Sequence, residues 1–134
     1  MSAAAVADTH TILWYLFGDD RLSVQAKQFI DDAAAARRSV EISPISLAEI
    51  VYLVEKGRIP ASALEDVSAA LEDPSHVFRE APFTKDDMNA MRKVAREEVP
   101  DMPDRIVSAT AIYLGVPLIS RDGKIRASNV RTIW

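Results

Sequence analysis

Four carboxylates occur beside apolar stretches at widely separated points of the chain. Asp8 directly follows the apolar run 3–7, and Asp122 lies two residues after the apolar run that ends at Ser120. Glu49 and Asp104 each fall in the first turn of a predicted helix. Grouped carboxylates repel one another and raise one another's pKa unless a cation lies among them. A cluster of these acids would suit Mg²⁺ or Mn²⁺, which prefer oxygen ligands.

The other residue types leave few alternatives for a reactive centre. The sequence contains no cysteine and only two histidines, His10 and His76, so thiolate zinc sites, disulfides, cysteine nucleophiles and histidine-rich metal sites are excluded. A carboxylate-held cation lowers the pKa of a bound water and stabilises charge on a leaving oxygen. The pattern therefore indicates phosphodiester hydrolysis.

Each acid also has an ordinary structural explanation. Glu49 completes a capping box with Ser46, and taken alone this explanation is favoured. Asp104 could simply complement a helix dipole, and Asp122, which precedes a glycine, could be a turn residue. Asp8 is different, because an acid that ends a buried strand and begins a helix is more often functional.

Apolar runs alternate with helical patterns along the whole chain. Strands are predicted at 3–7, 40–43, 77–81, 116–120 and 130–134. The helices between them are expected at about 9–17, 23–36, 46–56, 62–72 and 104–114, with a further one that begins after Thr84. We therefore expect an α/β fold in one domain spanning residues 1–134, with a central parallel sheet of four or five strands and helices on both faces.

This architecture would bring the four acids together. Open parallel sheets bind ligands at the carboxyl ends of their strands, and all four acids fall at that edge. In a doubly wound strand order, the first and fourth strands are neighbours, which would place Asp8 beside Asp122. The structural explanations account for each acid singly but not for this shared position.

Charge and hydropathy constrain the setting of the protein. The net charge is −4, yet residues 105–134 carry five basic residues against the single acid Asp122. That segment is either a phosphate-contacting edge or a solvated basic surface. No secretion signal or membrane-spanning run is recognisable, so a cytoplasmic location is expected.

Four segments of the sequence resemble the motifs of PIN-domain proteins of the VapC toxin type. They are VADTHTILW (6–14), SLAEI with LVEKGRI (46–50 and 53–59), PDRIVSATA (103–111) and LISRD (118–122), with a terminal IW that also fits. The resemblance implies an endoribonuclease dependent on Mg²⁺ or Mn²⁺, with Asp8, Glu49, Asp104 and Asp122 as catalytic metal ligands. It also implies an RNA substrate, a small antitoxin partner and a homodimer.

Four further residues are candidates for supporting the ligands or contacting substrate. Thr9 could orient Asp8 or bind a phosphate, or merely begin a helix. Asp101 could support the metal ligands, although an N-cap or a surface pair with Arg105 is favoured. Arg121 and Lys124 flank Asp122 closely enough to meet a phosphate, and a solvated surface explains them equally well.

Two rival functions remain open. The first is a catalytically silent PIN scaffold that binds protein or RNA, but such modules typically lose one of the acids and this chain keeps all four. The second is an acid-rich site that holds a structural metal. Trp14 is expected in the core or at a dimer contact rather than as a platform for bases.

Overall fold

The computed structural model describes residues 2–134, so Met1 of the expected domain lies outside the described residues. Its centre is a five-stranded parallel sheet in the order β3-β2-β1-β4-β5. The strands are β1 (Ala3–Ala7), β2 (Ser39–Ile42), β3 (Phe78–Glu80), β4 (Leu118–Ile119) and β5 (Thr132–Ile133). The predicted fold class is confirmed, and β1 pairs with both β2 and β4, as the doubly wound order requires.

Seven helices surround the sheet in residues 2–134. They are α1 (Thr9–Phe17), α2 (Val24–Ala35), α3 (Pro44–Glu55), α4 (Ser62–Glu72), α5 (Lys85–Met91), α6 (Met102–Leu114) and α7 (Gly123–Ala127). The short helix α7 was not predicted. None of the helices in residues 2–134 combines the length and hydropathy that a membrane crossing requires.

The alternation of side chains along β1 divides the core in two. Ala5 and Ala7 point into a cluster with apolar residues of α1, α2, α3 and α4. Val6 points to the opposite face, where Val107 of α6 and Ile125 of α7 pack. Both faces of the sheet are therefore covered, which explains why its strands are apolar throughout.

The capping box that Ser46 and Glu49 would form is absent. Helix α3 begins at Pro44 with Ser43 as its N-cap, so Ser46 is already inside the helix and its buried hydroxyl has no partner in residues 2–134. Helix α4 begins at Ser62 without any side-chain cap. The cap predicted at Thr84 is confirmed, and Asp87 completes a full capping box there.

Candidate functional site

A cleft of about 470 Å³ opens at the carboxyl ends of the strands, and all four predicted acids line it. Its lining also includes three of the four further candidates, but not Lys124. The complete lining is Asp8, Thr9, His10, Trp14, Glu49, Asp101, Pro103, Asp104, Val107, Arg121, Asp122 and Gly123. Asp8 and Asp122 lie beyond the neighbouring strands β1 and β4, at the point where the strand order reverses.

Asp8 is held by the start of helix α1. One oxygen, Oδ1, accepts a hydrogen bond of 3.1 Å from the Thr11 amide and so caps the helix. The buried Thr11 hydroxyl in turn donates to the Ile119 carbonyl over 2.9 Å, which ties the helix to β4. The other carboxylate oxygen of Asp8 has no hydrogen-bond donor within residues 2–134, so it is free for a ligand.

Asp122 is held in the same way by helix α7. Its Oδ1 accepts from the Ile125 amide over 2.9 Å, and its own amide donates to the Ser120 hydroxyl over 3.0 Å. Asp122 is thus the N-cap of a helix rather than a plain turn residue. Two acids on neighbouring strands therefore enter the cleft with their orientation fixed by the backbone.

Glu49 belongs to the cleft and not to a helix cap. Because α3 begins at Pro44, Glu49 lies more than one turn inside the helix and cannot reach the unpaired amides at its start. Its Oε1 instead accepts a hydrogen bond from the hydroxyl of Thr9. Thr9 therefore orients Glu49, not Asp8 as one of the sequence interpretations had it, and joins α1 to α3.

Asp104 carries the clearest electrostatic signature of the site. Its pKa is raised from its usual value of 3.8 to about 7, first because burial disfavours the charged form. The rest of the increase in this pKa comes from four acids, in decreasing order Asp101, Asp122, Asp8 and Glu49. The other three predicted ligands are therefore near enough to Asp104 to oppose its ionisation.

Asp101 is an N-cap, one of the two roles favoured from the sequence. Its Oδ1 accepts from the Asp104 amide over 3.0 Å, at the start of α6. The expected pair between Asp101 and Arg105 is wrong, since the Arg105 guanidinium donates to the Met91 and Val94 carbonyls instead.

Arg121 and Trp14 both line the cleft and contact each other. The guanidinium carbon of Arg121 lies 4.5 Å from the centre of the Trp14 ring. Trp14 is 5% exposed, so it is a core residue as expected, but it also lines the cleft, which was not predicted from the sequence. A signal in the sequence was the spacing of four residues between His10 and Trp14, which places both side chains on one face of a helix. Their ring centroids are 5.5 Å apart. Lys124 lies on the exposed surface of α7.

The chemistry of the cleft fits a hard cation, because its four predicted ligands all end in carboxylate oxygens. The carboxylates are farther apart than the ligands of one bound metal ion would be. No three acidic or histidine side chains of residues 2–134 are close enough to share one metal ion in this arrangement. The carboxylates thus face a common cleft without converging on one point.

The fold and the cleft define a class of protein, namely a doubly wound parallel α/β domain with an acidic cleft at the switch point of its sheet. The family model described as PIN domain matches residues 5–129. The chain belongs to the PIN domain family, as its four motifs predicted.

Two solved structures share the fold over nearly the whole chain. One is the crystal structure of VapBC2 from Rickettsia felis bound to a DNA fragment from their promoter, with a TM-score of 0.71, 14% identity and 96% of each chain covered. The other is a toxin-antitoxin complex from Klebsiella pneumoniae, with a TM-score of 0.60, 26% identity and 92% of each chain covered. No curated protein sequence matches this chain.

Proposed function

We propose that this PIN domain is a VapC-type endoribonuclease that cleaves RNA phosphodiester bonds with the help of Mg²⁺ or Mn²⁺. The observation that carries the proposal is that four acids from four different parts of the chain line one cleft. Structural acids are normally satisfied by nearby donors, whereas Asp104 is surrounded by other acids that raise its pKa. Such an arrangement is unfavourable on its own and becomes favourable around a cation.

Four residues would hold the cation: Asp8, Glu49, Asp104 and Asp122. A bound divalent ion would lower the pKa of a water molecule and stabilise negative charge on the scissile phosphate. The protein's own contribution is to orient these ligands. The caps of α1 and α7 fix Asp8 and Asp122, and the Thr9 hydroxyl fixes Glu49.

The proposed partners follow from the relatives. The likeness to a chain of a toxin-antitoxin complex, at 26% identity over 92% of the chain, supports a small antitoxin that silences the enzyme. The family resemblance also supports a homodimer. Size-exclusion chromatography with light scattering would test the dimer, and loss of RNA cleavage on titration with a candidate small antitoxin would test the partner.

The enzyme can be tested with total RNA and the purified chain, in Mg²⁺ or in EDTA. Asp8→Asn and Asp104→Asn should each lower the cleavage rate by about 100-fold or more, because each removes a charged oxygen ligand of the cation that would stabilise the transition state. The matched control is Asp66→Asn, an exposed acid of α4 outside the cleft, which should cleave like the wild type.

The outcomes distinguish the proposal from its rivals. Discrete cuts that need the divalent ion and disappear in both cleft variants would support a nuclease. Binding of RNA or antitoxin without any cleavage by the wild type would indicate a silent scaffold. Cleavage that survives EDTA would contradict the role of the metal.

A further inference from the structure

Two arginines contact the same tryptophan ring, and one of them, Arg121, lines the cleft. The guanidinium carbon of Arg121 lies 4.5 Å from the Trp14 ring centre, and that of Arg21 lies 5.2 Å from it. Stacking of this kind is attractive because the negative face of the ring meets the cation. The two arginines share this contact, but they differ in everything else around them.

Arg21 already has an anionic partner. Its Nε donates to Asp19 Oδ1 over 3.1 Å and one terminal nitrogen donates to Asp19 Oδ2 over 2.7 Å, which is a bidentate pair. This fork of donors is the geometry with which a guanidinium binds a phosphate. Because Asp19 occupies it, Arg21 has little capacity left for a second anion.

Arg121 has no such partner among residues 2–134. Its side chain makes no hydrogen bond or ion pair there, although it lines the same cleft as four carboxylates. A guanidinium carries five N–H donors in a planar fork, and contact with a ring face does not consume them. Arg121 therefore has unused donors in the lining of an acidic cleft.

The platform beneath Arg121 is rigid. Trp14 is 5% exposed, and its ring meets that of Trp134 edge-on at 5.9 Å and that of His10 at 5.5 Å. A base cannot use this ring for stacking while guanidinium groups cover it and its surface is buried. A phosphate bound by the planar fork of Arg121 is therefore a better candidate for a substrate contact than a base stacked on Trp14.

We propose that Arg121, held against Trp14, binds a backbone phosphate of the RNA strand beside the scissile bond. The inference rests on the proposed function, since it names a substrate contact of the same cleft. Arg121 supplies the positive charge that an acidic cleft needs to admit a polyanion. Trp14 is the positioning residue: its contact with the guanidinium keeps Arg121 from forming an ion pair with the carboxylates of the cleft.

Binding can be measured apart from cleavage, in EDTA and in the Asp104→Asn background, by fluorescence anisotropy of a labelled single-stranded RNA. Arg121→Ala should weaken binding by about tenfold, the effect of one charge-assisted contact. The slope of log affinity against log salt should become shallower by about 0.7, because one phosphate contact is lost. Arg121→Lys should restore the slope and only part of the affinity, because lysine keeps the charge without the fork.

The matched control is Arg21→Ala. This variant also removes a guanidinium that contacts the Trp14 ring, but Arg21 lies outside the cleft. It should change binding less than twofold and leave the salt slope unchanged. A second variant, Trp14→Phe, keeps an aromatic ring but a smaller platform, so it should weaken binding by a few fold. Melting curves on all variants check that they are folded at the assay temperature.

Two results would overturn the inference. One is an equal loss of affinity in Arg121→Ala and Arg21→Ala, and the other is a salt slope that Arg121→Ala does not change. Failure of the proposed function has a different signature. In that case the wild type would not cleave RNA, yet Arg121→Ala would still weaken RNA binding selectively.

Discussion

Two carboxylates on adjoining helices show how a structural acid differs from a functional one. Asp87 of α5 is 1% exposed and accepts hydrogen bonds from the Thr84 amide at 2.9 Å and the Thr110 hydroxyl at 2.7 Å. Asp104 of α6 is half-buried, and no group in residues 2–134 donates a hydrogen bond to its carboxylate. The more deeply buried acid is the satisfied one, so burial alone does not identify a site.

The difference between Asp87 and Asp104 shows that the environment of an acid indicates its role. Both oxygens of the Asp87 carboxylate accept a hydrogen bond, and the one from Thr110 joins α5 to α6. Around Asp104, the influential neighbours are other acids, and the result is a pKa of about 7. Removal of either carboxylate should therefore change the stability of the fold in opposite directions.

Removal of the Asp87 carboxylate should strongly destabilise the fold. Asp87→Ala loses two hydrogen bonds and leaves the Thr110 hydroxyl without this partner, so the free energy of unfolding should fall by about 2–4 kcal/mol. Urea denaturation would measure the loss. The control is Asp86→Ala in the same turn, whose carboxylate accepts no hydrogen bond in residues 2–134. Equal losses in both variants would mean that the junction depends on helix charge alone.

Asp104→Asn should stabilise the metal-free protein at neutral and higher pH. The pKa of Asp104 is raised in the folded state, so its ionisation opposes folding above pH 7 and has no effect below about pH 4. After allowance for solvent screening, the gain above pH 7 should be about 1–2 kcal/mol, or roughly 3–6 °C in Tm. Thermal melts in EDTA at pH 4 and pH 8 would measure it. A gain of the same size at both pH values would contradict the electrostatic cause.

Divalent cations should stabilise the wild type by a smaller amount. Ion binding to the folded state alone adds about 1 kcal/mol to the free energy of unfolding when Mg²⁺ or Mn²⁺ exceeds its Kd several-fold. Asp104→Asn should lose most of this response, whereas Asp86→Asn should keep it. A wild-type Tm that does not change with millimolar Mg²⁺ or Mn²⁺ would indicate that the acids are not one site.

The sheet and the shared edge of the acids were predictable from the sequence because they depend on local patterns. The run 3–7 reads as a buried strand, and it is β1 as predicted. The positions of Asp8 and Asp122 follow from the rule that parallel strands end at one edge. Helix α7 was not predicted because its five residues are too few to show a helical period of apolar positions.

The environment of Glu49 was not predictable in the same way. Its partner Thr9 lies 40 residues earlier in the chain, and no local pattern reveals such a contact. The Ser46 box was a plausible local alternative, yet the sequence also contains a better start, Ser43 followed by Pro44 at the first helical position. Similarly, the stacking of Arg121 on Trp14 depends on how β4 and α1 pack, which only the folded chain shows.

The caps at Asp8 and Asp122 have a consequence for how this domain could change over evolution. In each case a single oxygen serves the helix, and an asparagine carries one carbonyl oxygen that can do the same. One substitution could therefore abolish the negative charge while the helix still begins at the same residue. The step from the proposed nuclease to an inert binding scaffold is thus short, and folding does not oppose it.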